Sequence, residues 1–490
     1  MADATNLLFI FSDQHARHVA GCYGDEVVAT PNIDRLAAEG ILFDNASCPS
    51  PICVPSRMSM LTARWPHRND VWTNDDILSS ALPTWPHAMG AGGRRPVLIG
   101  RMHALGPDQL RGYAEREIGD HSPNHPGQPY RDYGVLAGTN NPDPRSLKAS
   151  GPGRMLYEAK DEDVTVAAVR WLRERAPQEA AAGGFCLTVG YMLPHAPYVA
   201  DPALFAKYAG RVPPPRLGPP ADEHPFYAWW RENRGLCAAS PEEVDRARTA
   251  YYALVDELDA MIGRVLAALE ETGLMDDTLV VYASDHGDHI GERGLFWKHT
   301  FFEESVGVPL VMRLPGVLPA GARRAEVVNL VDLSQTMLEA VGAPQLPDAD
   351  GRSFWSLAKD GGDWRSETFA EYCTDAVPSW TGGRAVEQRM VRDARYKLVV
   401  FGCEPPLLFD LVDDPLETRN LAEDPAYADV RARLEARVLD GWDPAEIRAR
   451  RTRMRARKDM LAAWARHVDP PNTHLWPFEA SMNRLDTPPD

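Results

Sequence analysis

Short, almost unbroken apolar runs separated by capped helical segments constrain this chain more than any other feature. LLFIF at 7–11, PVLIG at 96–100, FCLTVGY at 185–191, TLVVYA at 278–283 and VPLVM at 308–312 show no polar alternation. Each therefore reads as a strand buried on both faces. Helical segments lie between them. Thr30 and Pro31 start one that Gly40 ends, with proline at the first helical position, where its missing N–H costs nothing. A second helix is expected over 161–175. Ser240 and Glu243 have capping-box spacing at the head of a long helix from Pro241 to about Glu271, with Gly273 beyond its end. DLSQTMLEAVG at 332–342 repeats the pattern with Asp332 and Gln335. Strands alternating with helices predict a mostly parallel sheet covered on both faces, the α/β class.

After about residue 365 the pattern changes. EQRMVRDARYKLVVFG and PPLLFDLV are shorter, partly alternating and broken by turn residues, which predicts a small antiparallel sheet followed by a helix. The expected division is a catalytic unit over 1–365 and a smaller C-terminal α+β subdomain over 366–490. VPPPRLGPP at 212–220 and the tail at 470–490 are expected as irregular loops.

The formal net charge of −18 repels a phosphate backbone, so no nucleic-acid partner is expected. RARRTRMRARK at 448–458 is a local exception, expected as the solvated face of a helix, with an anion-binding patch as the other reading. No apolar run reaches the roughly 18 residues that span a bilayer. MADATNLLFIFSDQ lacks the basic segment of a signal peptide, and the seven cysteines form no C-x-x-C pair. These features predict a cytoplasmic protein without a membrane partner.

Ligands bind beyond the carboxyl ends of strands in an open parallel sheet. Asp13 follows the first apolar run, and Asp285 and His286 follow TLVVYAS. Either carboxylate alone reads equally well as a turn or cap residue. Together with the imidazole they offer a divalent-metal site, to which Gln14 adds a neutral oxygen. Cys53, in PSPICVPSRMSMLTAR, begins a predicted helix with Arg57 one turn later. A helix N-terminus beside an arginine favours an oxyanion, although a free cysteine is also a common core residue. Arg101 and His103 in GRMHALG, His195 in LPHAPY and Lys298 in FWKHTFF are further cations or proton donors. Each taken singly reads as a solvated loop residue.

The segment CVPSRMSMLTAR resembles the signature of the formylglycine-dependent sulfatases, C-x-P-x-R followed by L-T-G-R, within the alkaline phosphatase superfamily. FSDQ, GRMHALGPDQL, PHAPY, SDHGDHIGERGLFWKHTFFEES, VRDARYKLV and LFDLVDDPLETRNLA stand in the family's order over nearly the whole chain. GRMHALGPDQLRGY is most similar to choline sulfatase-like members. VWTND and the Asp–His pair are similar to phosphonate monoester hydrolase-like members.

The resemblance implies an alkaline phosphatase-like fold, a large mixed, mostly parallel sheet sandwiched by helices. It implies that a formylglycine-generating enzyme oxidises Cys53, and that the hydrated aldehyde attacks the sulfur of an organic sulfate monoester beside a divalent metal, Ca²⁺ or Mn²⁺. By the same resemblance Arg57 is the nucleophile's charge partner, and Asp13, Gln14, Asp285 and His286 hold the metal. His103 takes the proton that drives release of sulfate. His195 and Lys298 bind sulfate oxygens and assist the leaving group, Arg101 is a further sulfate contact, and Asn74 touches substrate.

The chain departs from the pattern at four positions. Gln14 stands where many members have a second Asp, His286 where many have Asn, Arg101 for the usual lysine and Ala63 for the signature glycine. The expected partners are a small sulfate ester, the modifying enzyme and further copies of the chain. A phosphonate monoester or phosphodiester hydrolase with the same nucleophile is the alternative, and a catalytically silent binding protein is the minor one. A quaternary-ammonium alcohol would need an aromatic cage. Trp297, Trp476, Phe478 and Glu479 are the candidates for it, against core packing of the same rings.

Overall fold

The computed structural model describes residues 4–374 and 384–486. Its largest sheet has eight strands in the order Ala322–Asn329, Ile41–Ser47, Leu310–Arg313, Thr278–Ser284, Asn6–Asp13, Cys186–Pro194, Pro96–Gly100 and Glu115–Glu117. The pairings are parallel except those of Leu310–Arg313, which runs antiparallel to both neighbours. Every residue of the three middle strands is buried, as their unbroken apolar runs require. Leu7 pairs with both Cys186 and Leu279, and Asp13 pairs with Pro194. The three strands thus finish on one edge of the sheet, and Asp13, His195 and Asp285 leave it together.

Ser240 and Glu243 form the predicted capping box at the head of helix Pro241–Glu271, with bonds of 2.9 and 3.2 Å. Two helix starts differ from expectation. The helix expected from Asp332 spans Leu330–Ala340, and Asn329 is its cap. Asn329 accepts from Val331 N at 3.1 Å, while Asp332, in the third helical position, accepts from Asn329 N at 3.1 Å. The helix expected over 161–175 begins at Leu156. Asn483 of the tail accepts from Leu156 N at 2.8 Å, a cap that no local pattern signals. Gly40 ends the first helix for lack of room: a Cβ there would lie 2.2 Å from Met312 O.

Strands Ile41–Ser47, Ala322–Asn329 and Glu115–Glu117 carry polar residues and belong to no apolar run. The last two lie at the sheet's edges, where polar sequence suffices.

A second, antiparallel sheet comprises Thr368–Thr374, Val386–Arg392, Tyr396–Phe401 and Leu407–Asp410. Helix Ala428–Leu439 packs on it through Leu434 and Val438. The basic run lies in the following helix, Pro444–Val468, and part of it is not solvated. Arg448 pairs with Glu387 at 2.6 Å, Lys458 with Asp76 at 2.9 Å and Arg450 with Asp70, while Arg451 is buried over the Trp72 ring. The tail is irregular over 470–479, as expected, then forms a short turn at Ala480–Met482 and the strand Arg484–Leu485, and residues 487–490 lie outside the described residues. Arg484 and Leu485 pair with Arg154 and Gly153. No helix among the described residues is long and apolar enough to cross a membrane.

Candidate active site

Cys53 is the first residue of helix Cys53–Thr62 and is buried. Its Sγ lies 3.2 Å from His286 Nε2 and 3.7 Å from Asp13 Oδ1. The ligand atoms of Asp13, Cys53, Asp285 and His286 all lie within 4.8 Å of one another. Strand ends deliver the two carboxylates and the imidazole, and the helix N-terminus delivers the thiol.

The two carboxylates divide their oxygens in the same way. Arg57 donates through Nη2 to Asp13 Oδ2 at 3.1 Å and through Nε to Asp285 Oδ2 at 2.7 Å. Arg101 Nε adds a bond to Asp13 Oδ2 at 2.5 Å. Asp13 Oδ1 instead faces the thiol and His286, whose Nε2 is 3.9 Å from it and 3.6 Å from Asp285 Oδ1, an oxygen that also accepts from Gln14 N at 3.0 Å. His286 Nδ1 donates to Gly287 O at 3.0 Å, which leaves a lone pair on Nε2. A metal-binding histidine is oriented in this way. The donor set therefore fits a divalent ion.

Gln14 stands at the border of this group. Its Nε2 donates to Asp288 Oδ2 at 2.6 Å, and its Oε1 accepts from Lys298 Nζ. Lys298 Nζ also donates to His195 Nε2 at 2.8 Å, and His195 Nδ1 donates to Ala196 O. Arg101 Nη2 donates to His103 Nδ1 at 2.7 Å, which places the proton of the neutral His103 ring on Nε2. Asn74 Oδ1 accepts from Val54 N at 2.9 Å, satisfying an N–H of the first turn beside Cys53.

The electrostatics follow from burial and these partners. Burial opposes ionisation of Asp13, but the permanent cations Arg101 and Arg57 outweigh it and hold the carboxyl well below its usual range. Burial, then Asp13, pushes the Cys53 thiol up to about 12. His103 is held well below the usual imidazole range by burial and Arg101, and His195 by burial and Lys298. Both rings are neutral near pH 7, and the lone pair of each is engaged, His103 Nδ1 by Arg101 and His195 Nε2 by Lys298.

Residues that no sequence signal marked complete the surroundings. Asp161 accepts from Met192 N and Leu193 N at 2.7 and 2.8 Å, fixing the strand end that leads to His195. The Tyr157 ring lies 5.9 Å from His195 and 4.9 Å from His121, and Tyr133 lies 6.3 Å from His121. Tyr133 also walls a cleft of about 580 Å³ with Asp75, Tyr130, Asn140 and Arg234. The rings considered for a cation cage are otherwise engaged. Trp297 is buried and donates to Ser146 Oγ, and Trp476 donates to Asp163 and stacks on Phe478. Glu479 is exposed.

Comparison with known proteins adds to the geometry. The sulfatase family model matches residues 5–343, and that of the N-sulphoglucosamine sulphohydrolase C-terminal region matches 291–442. The chain is 31% identical to a choline-sulfatase of Rhizobium meliloti over 457 residues, covering 87% of this chain and 86% of the relative. It is 30% identical to the multifunctional alkaline phosphatase superfamily protein PehA of Trinickia caryophylli, covering 86% and 92%. A phosphonate monoester hydrolase structure from Silicibacter pomeroyi superposes with a TM-score of 0.73 at 27% identity, over 89% of this chain and 95% of that one.

Proposed function

The chain belongs to the sulfatase family and is a sulfuric ester hydrolase, and from that premise we propose that it cleaves organic sulfate monoesters through a formylglycine made from Cys53. The observation that carries this reading is the setting of Cys53. A thiol pushed up to about 12 beside Asp13 is protonated at neutral pH, and a protonated thiol is a poor nucleophile. Yet the thiol sits where Asp13, Asp285, His286 and Lys298 converge. The position suits catalysis and the thiol does not, which argues for conversion to another group.

A hydrated aldehyde at position 53 would supply one hydroxyl to attack sulfur and a second whose deprotonation releases sulfate. A divalent ion held by the Oδ1 atoms of Asp13 and Asp285 and by His286 Nε2, with Gln14 Oε1 as a fourth donor that it would share with Lys298 Nζ, would acidify the attacking hydroxyl. The imidazole among these donors leaves both Ca²⁺ and Mn²⁺ as ligand-compatible ions. Arg57 and Arg101 neutralise the carboxylates and favour sulfate oxygens. Lys298, hydrogen-bonded to His195, donates a proton to the departing alcohol oxygen, and His103 takes the proton whose loss frees sulfate, at the Nδ1 lone pair that Arg101 Nη2 gives up when it turns to a sulfate oxygen. The alcohol would lie in the cleft that Tyr133 walls. The free cysteines fit the reducing cytoplasm, and maturation there requires a formylglycine-generating enzyme. Association of copies is supported by exposed Met460, Leu461, Trp464 and Val468 on the last long helix.

The similarity to PehA and to a phosphonate monoester hydrolase keeps a second substrate class open, because a phosphonate monoester offers the same singly charged tetrahedral centre. The test compares kcat/KM for an aryl sulfate and the matched aryl phosphonate monoester on metal-loaded protein, with Cys53→Ala alongside. Sulfate preference that Cys53→Ala abolishes is expected. Phosphonate preference would replace the substrate and leave the nucleophile in place. Mass spectrometry of the peptide bearing position 53 should show the aldehyde, and a thiol in fully active protein would refute the mechanism.

A further inference from the structure

Asp120 follows the edge strand Glu115–Glu117, outside every sequence motif that marks the site. Its carboxylate is buried and meets three groups. Oδ2 accepts from His103 N at 2.9 Å and from Arg116 Nη2 at 2.6 Å, and Oδ1 stands 3.6 Å from Arg101 Nη1. It touches both residues assigned to sulfate binding and proton removal, and no atom of the Cys53 cluster. His103 has φ of 55°, a left-handed conformation uncommon for a residue other than glycine. Surrounding structure must impose such a backbone, and the bond from His103 N to Asp120 is a restraint of that kind.

The loop carrying Asp120 is itself held by the far end of the chain. Trp476 N donates to Asp120 O at 2.9 Å, Thr473 N to Asn124 Oδ1 at 2.6 Å and Asn124 N to Asn472 Oδ1 at 2.6 Å. The His474 ring bonds Arg116 O through Nδ1 at 3.1 Å. Contact is so close at Gly119 that a Cβ there would lie 1.4 Å from His474 O.

We propose that Asp120 is a positioning residue for Arg101 and His103, and that residues 472–476 hold it in register from the other end of the chain. The roles of Arg101 and His103 rest on the sulfatase reading above. The restraint itself does not.

Two variants test the inference. Gly119→Ala drives a methyl group into the His474 carbonyl, and the nearest atoms to that methyl all belong to His474. Asp120→Asn keeps the shape and removes the charge. In the full-length, metal-loaded protein, both should lower kcat for a sulfate ester by tenfold or more per aldehyde-bearing molecule, because small displacements of catalytic groups have effects of that order. KM should change less. Amide hydrogen exchange should speed at 101–104 in both, and at 472–476 in Gly119→Ala.

The inference is overturned if Gly119→Ala frees 472–476 while 101–104 and kcat stay as in the parent, or if Asp120→Asn lowers only the melting temperature. If Gly119→Ala does not fold, Asp120→Asn decides alone. If the parent protein turns over no sulfate ester, the functional reading fails and exchange at 101–104 still decides: faster exchange sustains the inference, and unchanged exchange ends it.

Discussion

Arg57 shows how much of the site is decided by single side chains. Asp13, Asp285 and Arg57 all have side chains that are 0% exposed, and buried carboxylates without a counter-charge are strongly destabilising. Arg57→Met should therefore cost the metal-free protein about 3–5 kcal/mol, read from urea unfolding. Added Mn²⁺ or Ca²⁺ should return part of it, since a bound ion would neutralise the same two carboxylates. A loss of equal size with and without metal would contradict an ion between the Oδ1 atoms.

Single residues also set the response to acid. Burial holds the His289 imidazole down at about 4, against roughly 6.5 in an unfolded chain. Protons then bind the unfolded state more readily, so the contribution is complete above pH 6.5 and is lost as pH falls toward 4. His289→Gln should flatten the stability profile in that window by on the order of 3 kcal/mol, and an unchanged slope would place the acid sensitivity elsewhere. Cys53, Arg57, Asp285, His286 and Lys298 were legible in the sequence because each lies in a dense local motif. Asp120, Tyr157 and Asp161 were not, because each acts through a partner distant in sequence or through backbone N–H groups that carry no residue code.

At the scale of elements, local chemistry was legible where both partners are local. The Ser240–Glu243 box needed four residues of sequence. Leu156 needs Asn483, and the local pattern alone starts its helix five residues late. Asn329 combines both kinds of contact. Its Oδ1 caps helix Leu330–Ala340, and its Nδ2 donates to Thr368 Oγ1 at 2.7 Å, joining that helix to the antiparallel sheet. Asn329→Ala should cost about 1–2 kcal/mol for the cap and more for the lost bond to Thr368. Asn329→Ser keeps a capping oxygen and should recover about 1 kcal/mol of the loss. Equal unfolding midpoints for the two variants would mean that the bond to Thr368, and not the cap, carries the effect.

Across the whole molecule, the proposed division at 365–366 separates two units of sequence that share one buried charge network. Glu303 lies five residues after Lys298 and meets three cations: Arg17 at 2.9 Å, Arg392 at 2.7 Å and Lys397 at 2.6 Å. Arg392 and Lys397 belong to the antiparallel sheet, and Lys397 also bonds Phe301 O at 2.8 Å. Burial opposes ionisation of Glu303, and Arg392, Lys397 and Arg17 outweigh it. The second sheet thus holds the loop that presents Lys298. Glu303→Gln leaves buried Arg392 short of a counter-charge, while Lys397 keeps Glu417 at 2.7 Å, and losing one such buried pair is an effect of about 3–5 kcal/mol. If this network couples the two units, the parent protein should unfold in one transition by calorimetry and by tryptophan fluorescence. Glu303→Gln should separate the two signals and lower kcat, because Lys298 loses its support. Coincident signals in Glu303→Gln with an unchanged kcat would show that apolar packing between the sheets, rather than this network, makes them one cooperative body.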